Sequence, residues 1–232
     1  MNARRKFLFG GSMATAALLT AKPFKLIANT LSPVTGFRIN NNLVLAHTGN
    51  AGGSQAMQHI AKLKNSCNNL ILFHAGDNTT AYAGLPVYDA SMHTGASCSI
   101  VADDYKIIYK GDIKTGVITA DDQSASAERI NALATWLKKE KKCHLVVCLS
   151  QLGYRSTTGL NDLELAASST HLDVIIGGHA DNFCTRPVIA RNKNKEEVII
   201  NHAATNGLAL RKIEIGFDNR GKKSQVSLTK TC

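Results

Sequence analysis

The stretch from residue 143 to residue 183 constrains the fold of this chain most strongly. Two short apolar runs, Leu145–Leu149 and Leu172–Ile176, are rich in Val, Ile and Leu and end in polar or glycine-rich residues, which is typical of strands buried on both faces of a sheet. Between them, Asn161–Ser169 carries apolar residues at helical spacing, so the pattern predicts a strand-helix-strand unit. Functional residues of such units lie in the loops that follow the strands, which here are Ser150–Gly153 and Gly177–Asp181.

The other apolar patterns predict that the rest of the chain adds to the same mixed α/β domain. Helices are predicted at Ser54–Lys64 and Ser124–Lys142, and strands at Ile39–Ala46, Leu70–Phe73, Tyr105–Tyr109, Ile113–Thr119, Val188–Ala190, Val198–Asn201, Leu208–Gly216 and Val226–Thr229. Residues 78–102 are polar and are expected to be irregular. We expect a mixed sheet folded into a two-sheet sandwich with helices outside.

Four segments resemble motifs of the calcineurin-like metallophosphoesterases, in the branch of the 5'-nucleotidases. They are NLVLAHTGNAGG from Asn42, NLILFHAGD from Asn69, LSQLGY from Leu149 and DVIIGGHADNF from Asp173. The corresponding segments of that branch read LHTND-x-H, a strand ending in Gly-Asp, LSHLGY and D-x-IIGGH-x-H. The resemblance implies an α/β (α+β) fold, a metallophosphoesterase-like four-layer αββα sandwich with mixed sheets.

The same resemblance implies a set of metal ligands, and this chain departs from that set at most positions. A two-metal phosphoesterase holds cations about 3.5 to 4 Å apart with carboxylates and imidazoles. Matched position by position, the chain has Asn50 for an Asp, Gly52 for a His, Asp77 for the bridging Asp, Gln151 for a His, His179 for a His and Asp181 for a second His. The third motif of the family has no clear match, and His93 is interpreted as a surface-loop histidine. Only Asp77 and His179 keep the family's residue.

The selective loss of ligands favours a non-catalytic pseudoenzyme. An Asp replaced by Asn loses a charge, and a His replaced by Gln loses the imidazole that suits transition metals. Two remaining ligands do not hold a dinuclear centre, so no cofactor is expected. We therefore predict a protein with the 5'-nucleotidase fold that binds a ligand or a partner without hydrolysing phosphate esters.

Two other hypotheses remain open. An active phosphoesterase of altered chemistry would hold a single Mg²⁺, Mn²⁺ or Ca²⁺, with His179 or His74 placed for proton transfer; its ligands would be Asn50, Asp77, Gln151, His179 and Asp181. A binding module without chemistry would instead bind an anion at the glycine turns 52–53 and 177–178. His202, which follows a predicted strand near this rim, is a further residue to test.

Three other features are interpreted as structural. His47, which matches the His-Thr pair of the first motif, is expected to be a structural hydrogen-bonder. Cys143 and Cys148 flank a predicted buried strand and are expected to be packed thiols. The run Lys138–Lys142 is expected to be the solvated end of a helix, where cations suit the helix dipole.

The first 28 residues predict export. Arg4-Arg5 precedes a modest apolar run that glycine, serine and threonine interrupt, which is typical of a twin-arginine signal and too short to span a membrane. We expect residues 1–28 to be this signal, residues 29–232 to be one domain, and the exported protein to be periplasmic or otherwise extracytoplasmic. The signal carries five of the positive charges behind the net +10, which leaves little basis for nucleic-acid binding. Because family members often join their catalytic domain to a C-terminal substrate-binding domain, the resemblance implies a separately encoded protein of that type as a partner.

Overall fold

The computed structural model describes residues 42–48, 54–74, 87–89, 105–120, 125–156, 159–178, 186–202 and 210–231. These residues all belong to the unit Asn40–Cys232. The helices are α1 (Ser54–Ser66), α2 (Ala127–Lys139) and α3 (Asp162–Ser168). The strands are β1 (Asn42–Thr48), β2 (Leu70–His74), β3 (Val87–Asp89), β4 (Tyr105–Lys110), β5 (Ile113–Ala120), β6 (Leu145–Ser150), β7 (Val174–Gly177), β8 (Val188–Arg191), β9 (Glu197–His202), β10 (Leu210–Phe217) and β11 (Lys223–Thr231).

The strands form two mixed sheets. The first sheet has the order β11-β10-β1-β2-β3, in which β1 runs parallel to β2 and antiparallel to β10. The second has the order β4-β5-β6-β7-β9-β8, in which β5, β6, β7 and β9 are parallel to one another. The predicted unit of residues 143–183 is therefore a crossover: β6 and β7 pair in parallel and α3 connects them.

Strand alternation places one apolar core between the sheets and another on each outer face. Leu43 and Leu45 of β1 join Val147 and Leu149 of β6 in the central core, because side chains two residues apart point to the same face. The outer face of the second sheet is covered by α2 and α3. The outer face of the first sheet packs against Ile60 of α1. These four layers confirm the predicted αββα sandwich.

Contacts at one edge fix the relative direction of the sheets. Lys223 at the start of β11 donates from Nζ to the carbonyl oxygen of Glu197 at the start of β9, over 2.8 Å. The ring of Phe217 at the end of β10 lies 6.4 Å from that of His144, which precedes β6. The strand starts of β6 and β9 therefore lie beside the start of β1, which pairs with the end of β10. It follows that the carboxyl ends of the parallel strands of both sheets face the same side of the domain.

Two predicted elements need correction. Residues 78–102 were expected to be irregular, but Val87–Asp89 pairs in parallel with β2 as the edge strand β3. Helix α2 begins later than predicted because Ser126 caps it, its side chain accepting a hydrogen bond from the backbone N–H of Arg129. The helix ends before Lys142, which has a left-handed φ of 56°.

Candidate functional site

The predicted site loops all leave the sandwich from one edge. Strands β1, β2, β6 and β7 end at Thr48, His74, Ser150 and Gly177, and each is followed by one of the four motif loops. Because these carboxyl ends face the same side, the four strands end at a common rim of the domain. Asn50, Gly52, Asp77, His179 and Asp181 belong to those loop segments of the sequence and lie outside the described residues, as does His93, which follows β3.

Gln151 is the one predicted ligand that the structure describes. It directly follows β6 and is exposed, and its backbone N–H donates to the carbonyl oxygen of Ala120 over 2.8 Å. This bond extends the β5–β6 ladder by one residue and fixes the backbone at the point where the fourth motif leaves the sheet. The position that would carry an imidazole ligand in the family thus carries a neutral carboxamide at the rim.

A buried cluster of polar side chains lies directly below this rim, on the helix side of the second sheet. Asp162 Oδ1 accepts a hydrogen bond from the hydroxyl of Ser150, and Asp162 Oδ2 lies 2.8 Å from Nε2 of His202. The Asp162 and His202 side chains are both fully buried, and they form a close polar contact whose alignment falls outside hydrogen-bond geometry. The ring of Tyr154 packs edge-on against that of His202 at 6.0 Å.

The surrounding chain makes room for this pair. Asn161 caps α3, since its side-chain oxygen accepts the backbone N–H of Glu164 over 3.0 Å, and this sets Asp162 on the first turn. A methyl group at Gly177 would clash with the ring of His202, which pairs across the ladder from it. Burial and the neighbouring carboxylate of Asp162 raise the pKa of the Cys148 thiol, so this cysteine is the packed thiol that the sequence predicted.

His47 lies on the other face, toward the space between the sheets. It lies opposite Arg211 in the β1–β10 ladder. Each of the two residues lies two positions from a member of the central core in its own strand, so both side chains are on the inner face. Burial, followed by electrostatic interaction with His202, Arg211 and His74, holds the pKa of His47 well below its ordinary value, so the imidazole is neutral at pH 7. Neither ring nitrogen has a hydrogen-bond partner among the described residues. The described residues therefore provide no partner for the structural hydrogen bond that was expected of His47.

Asn201 is a second buried polar group on the inner face of this edge. It lies near the end of β9, two positions after Ile199 of the central core, and therefore on the same face of the strand. Its amide has no hydrogen-bond partner among the described residues. His74 points to the opposite face of the first sheet, where its Nδ1 lies 3.3 Å from the hydroxyl of Thr48. The histidine proposed for proton transfer is thus buried on the α1 side of its sheet.

The described part of the predicted donor set supplies one neutral ligand. Its described member, Gln151, supplies only a neutral oxygen. Asp162, the one fully buried carboxylate in the described ranges, is engaged by Ser150 and His202. Within the described part of the chain, no three His, Cys, Asp or Glu side chains come together in a way that could hold a metal ion. The other predicted ligands, Asn50, Asp77, His179 and Asp181, lie outside the described residues.

Sequence reasoning missed Asp162 and Arg211. Asp162 could have been suspected from its place after the capping residue Asn161, where a carboxylate suits the helix dipole. Its pairing with His202 joins residues 40 positions apart and depends on the β7–β9 pairing, which no local pattern specifies. Arg211 lies in β10, where buried apolar residues alternate with partly exposed ones. It occupies an inward-facing position, where an apolar residue is expected and a charged one is unusual.

Comparison with known proteins assigns the fold. No protein-family model matches the chain. A 5'-nucleotidase precursor from Thermus thermophilus has a TM-score of 0.61 at 16% identity, over 82% of this chain and 54% of that structure. The NAD nucleotidase of Haemophilus influenzae also has a TM-score of 0.61 at 16% identity, over 81% of this chain and 49% of that structure. The chain therefore has the fold of the calcineurin-like metallophosphoesterases, as the sequence predicted.

One curated protein matches part of the chain in sequence. The trifunctional nucleotide phosphoesterase protein YfkN of Bacillus subtilis (strain 168) is 28% identical over 85 residues, which is 37% of this chain and 5% of YfkN. The chain spans about half of the length of the two solved nucleotidases. In the described part of the chain, no helix combines the length and apolarity needed to cross a membrane.

Proposed function

We propose that this protein is a non-catalytic member of the 5'-nucleotidase fold, which binds a ligand at the carboxyl edge of its sheets and does not hydrolyse phosphate esters. The observation that carries the proposal is the chemistry of that edge. Gln151 stands at the end of β6 where the family has an imidazole, and Asp162, the fully buried acid of the described ranges, is engaged with Ser150 and His202.

The physical argument concerns how water becomes a nucleophile. Two divalent cations lower the pKa of a bridging water and neutralise the phosphoryl oxygens, which requires several negative and imidazole ligands. The described groups that point inward at this edge are instead a guanidinium, a neutral imidazole and an amide: Arg211, His47 and Asn201. These groups are suited to hydrogen-bonding an anionic or polar ligand.

Two buried polar side chains support a binding role. His47 and Asn201 have hydrogen-bonding capacity that no described residue uses, although leaving such groups unpaired costs about 1 to 3 kcal/mol each. A fold that had lost all use of this edge would be more stable with apolar residues there. Their presence favours retention of a ligand or loop contact at the edge.

The test is phosphate release by the purified protein from 5'-nucleotides, with Mn²⁺ or Zn²⁺ added. We expect no release above that of a matched Asp77→Asn variant. Restoring the family's ligands with Asn50→Asp, Gly52→His, Gln151→His and Asp181→His should raise Mn²⁺ affinity by at least tenfold, because it adds three imidazoles and replaces a neutral amide by a carboxylate.

A single contrary result is decisive. If the unmodified protein releases phosphate, and Asp77→Asn abolishes this while the exposed-turn control Asp112→Asn does not, the protein is an enzyme and the proposal is wrong. Asp112 is an appropriate control because it lies in the exposed β4–β5 turn. Such a result would favour the single-cation phosphoesterase with Asp77 and His179 in its site.

Export and partnership complete the proposal. The composition of residues 1–28 supports twin-arginine export to the periplasm. The partner we propose is a separately encoded protein of the 5'-nucleotidase C-terminal type, and the family resemblance supports it. Co-purification of such a protein from periplasmic extract with the tagged chain would support the pairing, and its absence from a cross-linked extract would count against it.

A further inference from the structure

A cavity of about 680 Å³ opens at the edge of the sandwich opposite the candidate site. Three turns and the segment that precedes β7 form its walls: the end of α2, the β8–β9 turn and the β10–β11 turn. This is the edge where Lys223 contacts Glu197 and where His144 meets Phe217. The cavity belongs to neither the motif loops nor the Asp162–His202 cluster.

Positive charge dominates the lining. Six lysines and arginines face three acids, and the cations are Lys138, Lys142, Lys195, Arg220, Lys222 and Lys223. One of the acids, Asp173, lies 2.7 Å from Nζ of Lys138 and 3.7 Å from Nζ of Lys223, and also accepts the backbone N–H of Val146. Asp173 is thereby neutralised and holds two lysines in place at the wall. The Lys138–Lys142 run was interpreted as a solvated helix end. That interpretation is incomplete, because the side chain of Lys138 forms an ion pair with Asp173.

Two of these lysines occupy backbone conformations that favour glycine. Lys142, after α2, has a φ of 56°, and Lys195, in the β8–β9 turn, has a φ of 62°. They are the only residues other than glycine with positive φ in the described ranges. A side chain in this region clashes with its own backbone, and glycine avoids that cost. Lys142 and Lys195 thus both adopt an unfavourable backbone conformation, and both line the same cavity.

His144 lies in the same positively charged environment. Its Nδ1 accepts the backbone N–H of Lys114 over 2.9 Å, and its ring lies beside Gly221 of the β10–β11 turn. Partial burial, and then the charges of Lys138 and Lys114, lower its pKa, while Asp112 opposes them weakly. The imidazole is therefore a neutral group in a cationic wall.

We infer that this cavity binds a small multivalent oxyanion, a molecule with at least two phosphate or sulfate groups. Its volume lies within the range of small-molecule sites. Neither Phe, Trp nor Tyr is among the described residues that line it, so stacking of nucleic-acid bases has no platform there. The large exposed apolar side chains of the described ranges, Tyr109 and Ile189, do not line it either, which disfavours a lipid surface.

The test is calorimetric titration with pyrophosphate at low salt, with sulfate as a second arm. We expect one pyrophosphate per chain, bound more tightly than sulfate. Lys142→Gly with Lys195→Gly should weaken binding about tenfold, since two charge contacts are removed. This double variant should melt at the same or a higher temperature, because glycine fits both backbone conformations. Binding should also raise the pKa of His144, which NMR of its ring protons follows.

The control removes two charges elsewhere, with Lys62→Gln on α1 and Lys110→Gln at the end of β4. It should keep the affinity within about twofold, because neither lysine lines the cavity. The inference is overturned if pyrophosphate does not bind at millimolar concentration, or if both double variants weaken binding equally, which would indicate net charge alone. Tighter binding of a single-stranded oligonucleotide, lost in the same glycine variant, would also overturn it and assign the cavity to nucleic acid.

Discussion

Replacing His47 by glutamine should remove a specific part of the protein's acid sensitivity. The imidazole is fully buried and its pKa is held well below the ordinary value by burial and by neighbouring positive charge. In the unfolded chain the same group titrates near pH 6.5. Below that pH the unfolded state therefore binds a proton that the folded state refuses, and protonation favours unfolding.

The magnitude follows from linkage for one proton. Stability rises with pH wherever the unfolded state binds more protons, with a slope that approaches about 1.4 kcal/mol per pH unit. Between pH 7.5 and pH 5.0 this single group should remove about 2 kcal/mol from the free energy of unfolding. For a domain of this size that corresponds to about 4 to 8 °C in Tm. Above about pH 7.5 the contribution is flat.

The assay is urea unfolding of the unmodified protein and His47→Gln at several values between pH 5.0 and 7.5. Other groups, including His144, whose pKa is also lowered, titrate in both proteins and cancel in the difference. We expect the difference in unfolding free energy to shift in favour of the variant by about 2 kcal/mol at pH 5.0 relative to pH 7.5. A difference that stays constant across this range would refute the assignment of His47 as a buried neutral base.

Three further predictions test the buried cluster and export. Asp162→Ala should cost about 1 to 3 kcal/mol in thermal or urea unfolding, because it removes the acceptor of the buried Ser150 hydroxyl and the polar neighbour of the buried His202 ring. Glu164→Ala on the exposed side of α3 should cost under about 0.5 kcal/mol, and equal costs would contradict the role of Asp162 in the cluster. Gly177→Ala should cost about 2 to 3 kcal/mol by the same measurement, because a methyl group there clashes with the His202 ring, and an unchanged Tm would contradict that packing. Changing both arginines of the Arg4-Arg5 pair to lysine should move the protein from periplasm to cytoplasm in a fractionation assay, and undiminished export would remove the twin-arginine interpretation.

Local patterns predicted most of the secondary structure because the buried strands are continuous apolar runs. Strand β6 was expected at Leu145–Leu149 and is observed at Leu145–Ser150, and the β4–β5 hairpin lies where its turn residues indicated. Strand β3 was missed because it is only three residues long and lies at the edge of its sheet. Its extended conformation depends on pairing with β2 and not on a local sequence pattern.

The sequence located the rim but not the contacts beneath it. Loop positions follow from strand ends, so the apolar runs predicted functional loops after β6 and β7, and the family resemblance added the loops after β1 and β2. The Asp162–His202 pair and the inward-facing His47 and Arg211 depend on ladder register and on alternation between two layers, which are long-range properties. Asn50, Asp77, His179 and Asp181 lie outside the described residues, so their predicted roles stay predictions.

The most direct test of the non-catalytic account is anomalous diffraction from crystals of the purified protein soaked in Mn²⁺. The account predicts no pair of manganese peaks about 3.5 to 4 Å apart at the carboxyl edge of the sheets, whether or not phosphate is present. Two well-occupied peaks at that spacing, bridged by Asp77 and lost in Asp77→Asn, would contradict it.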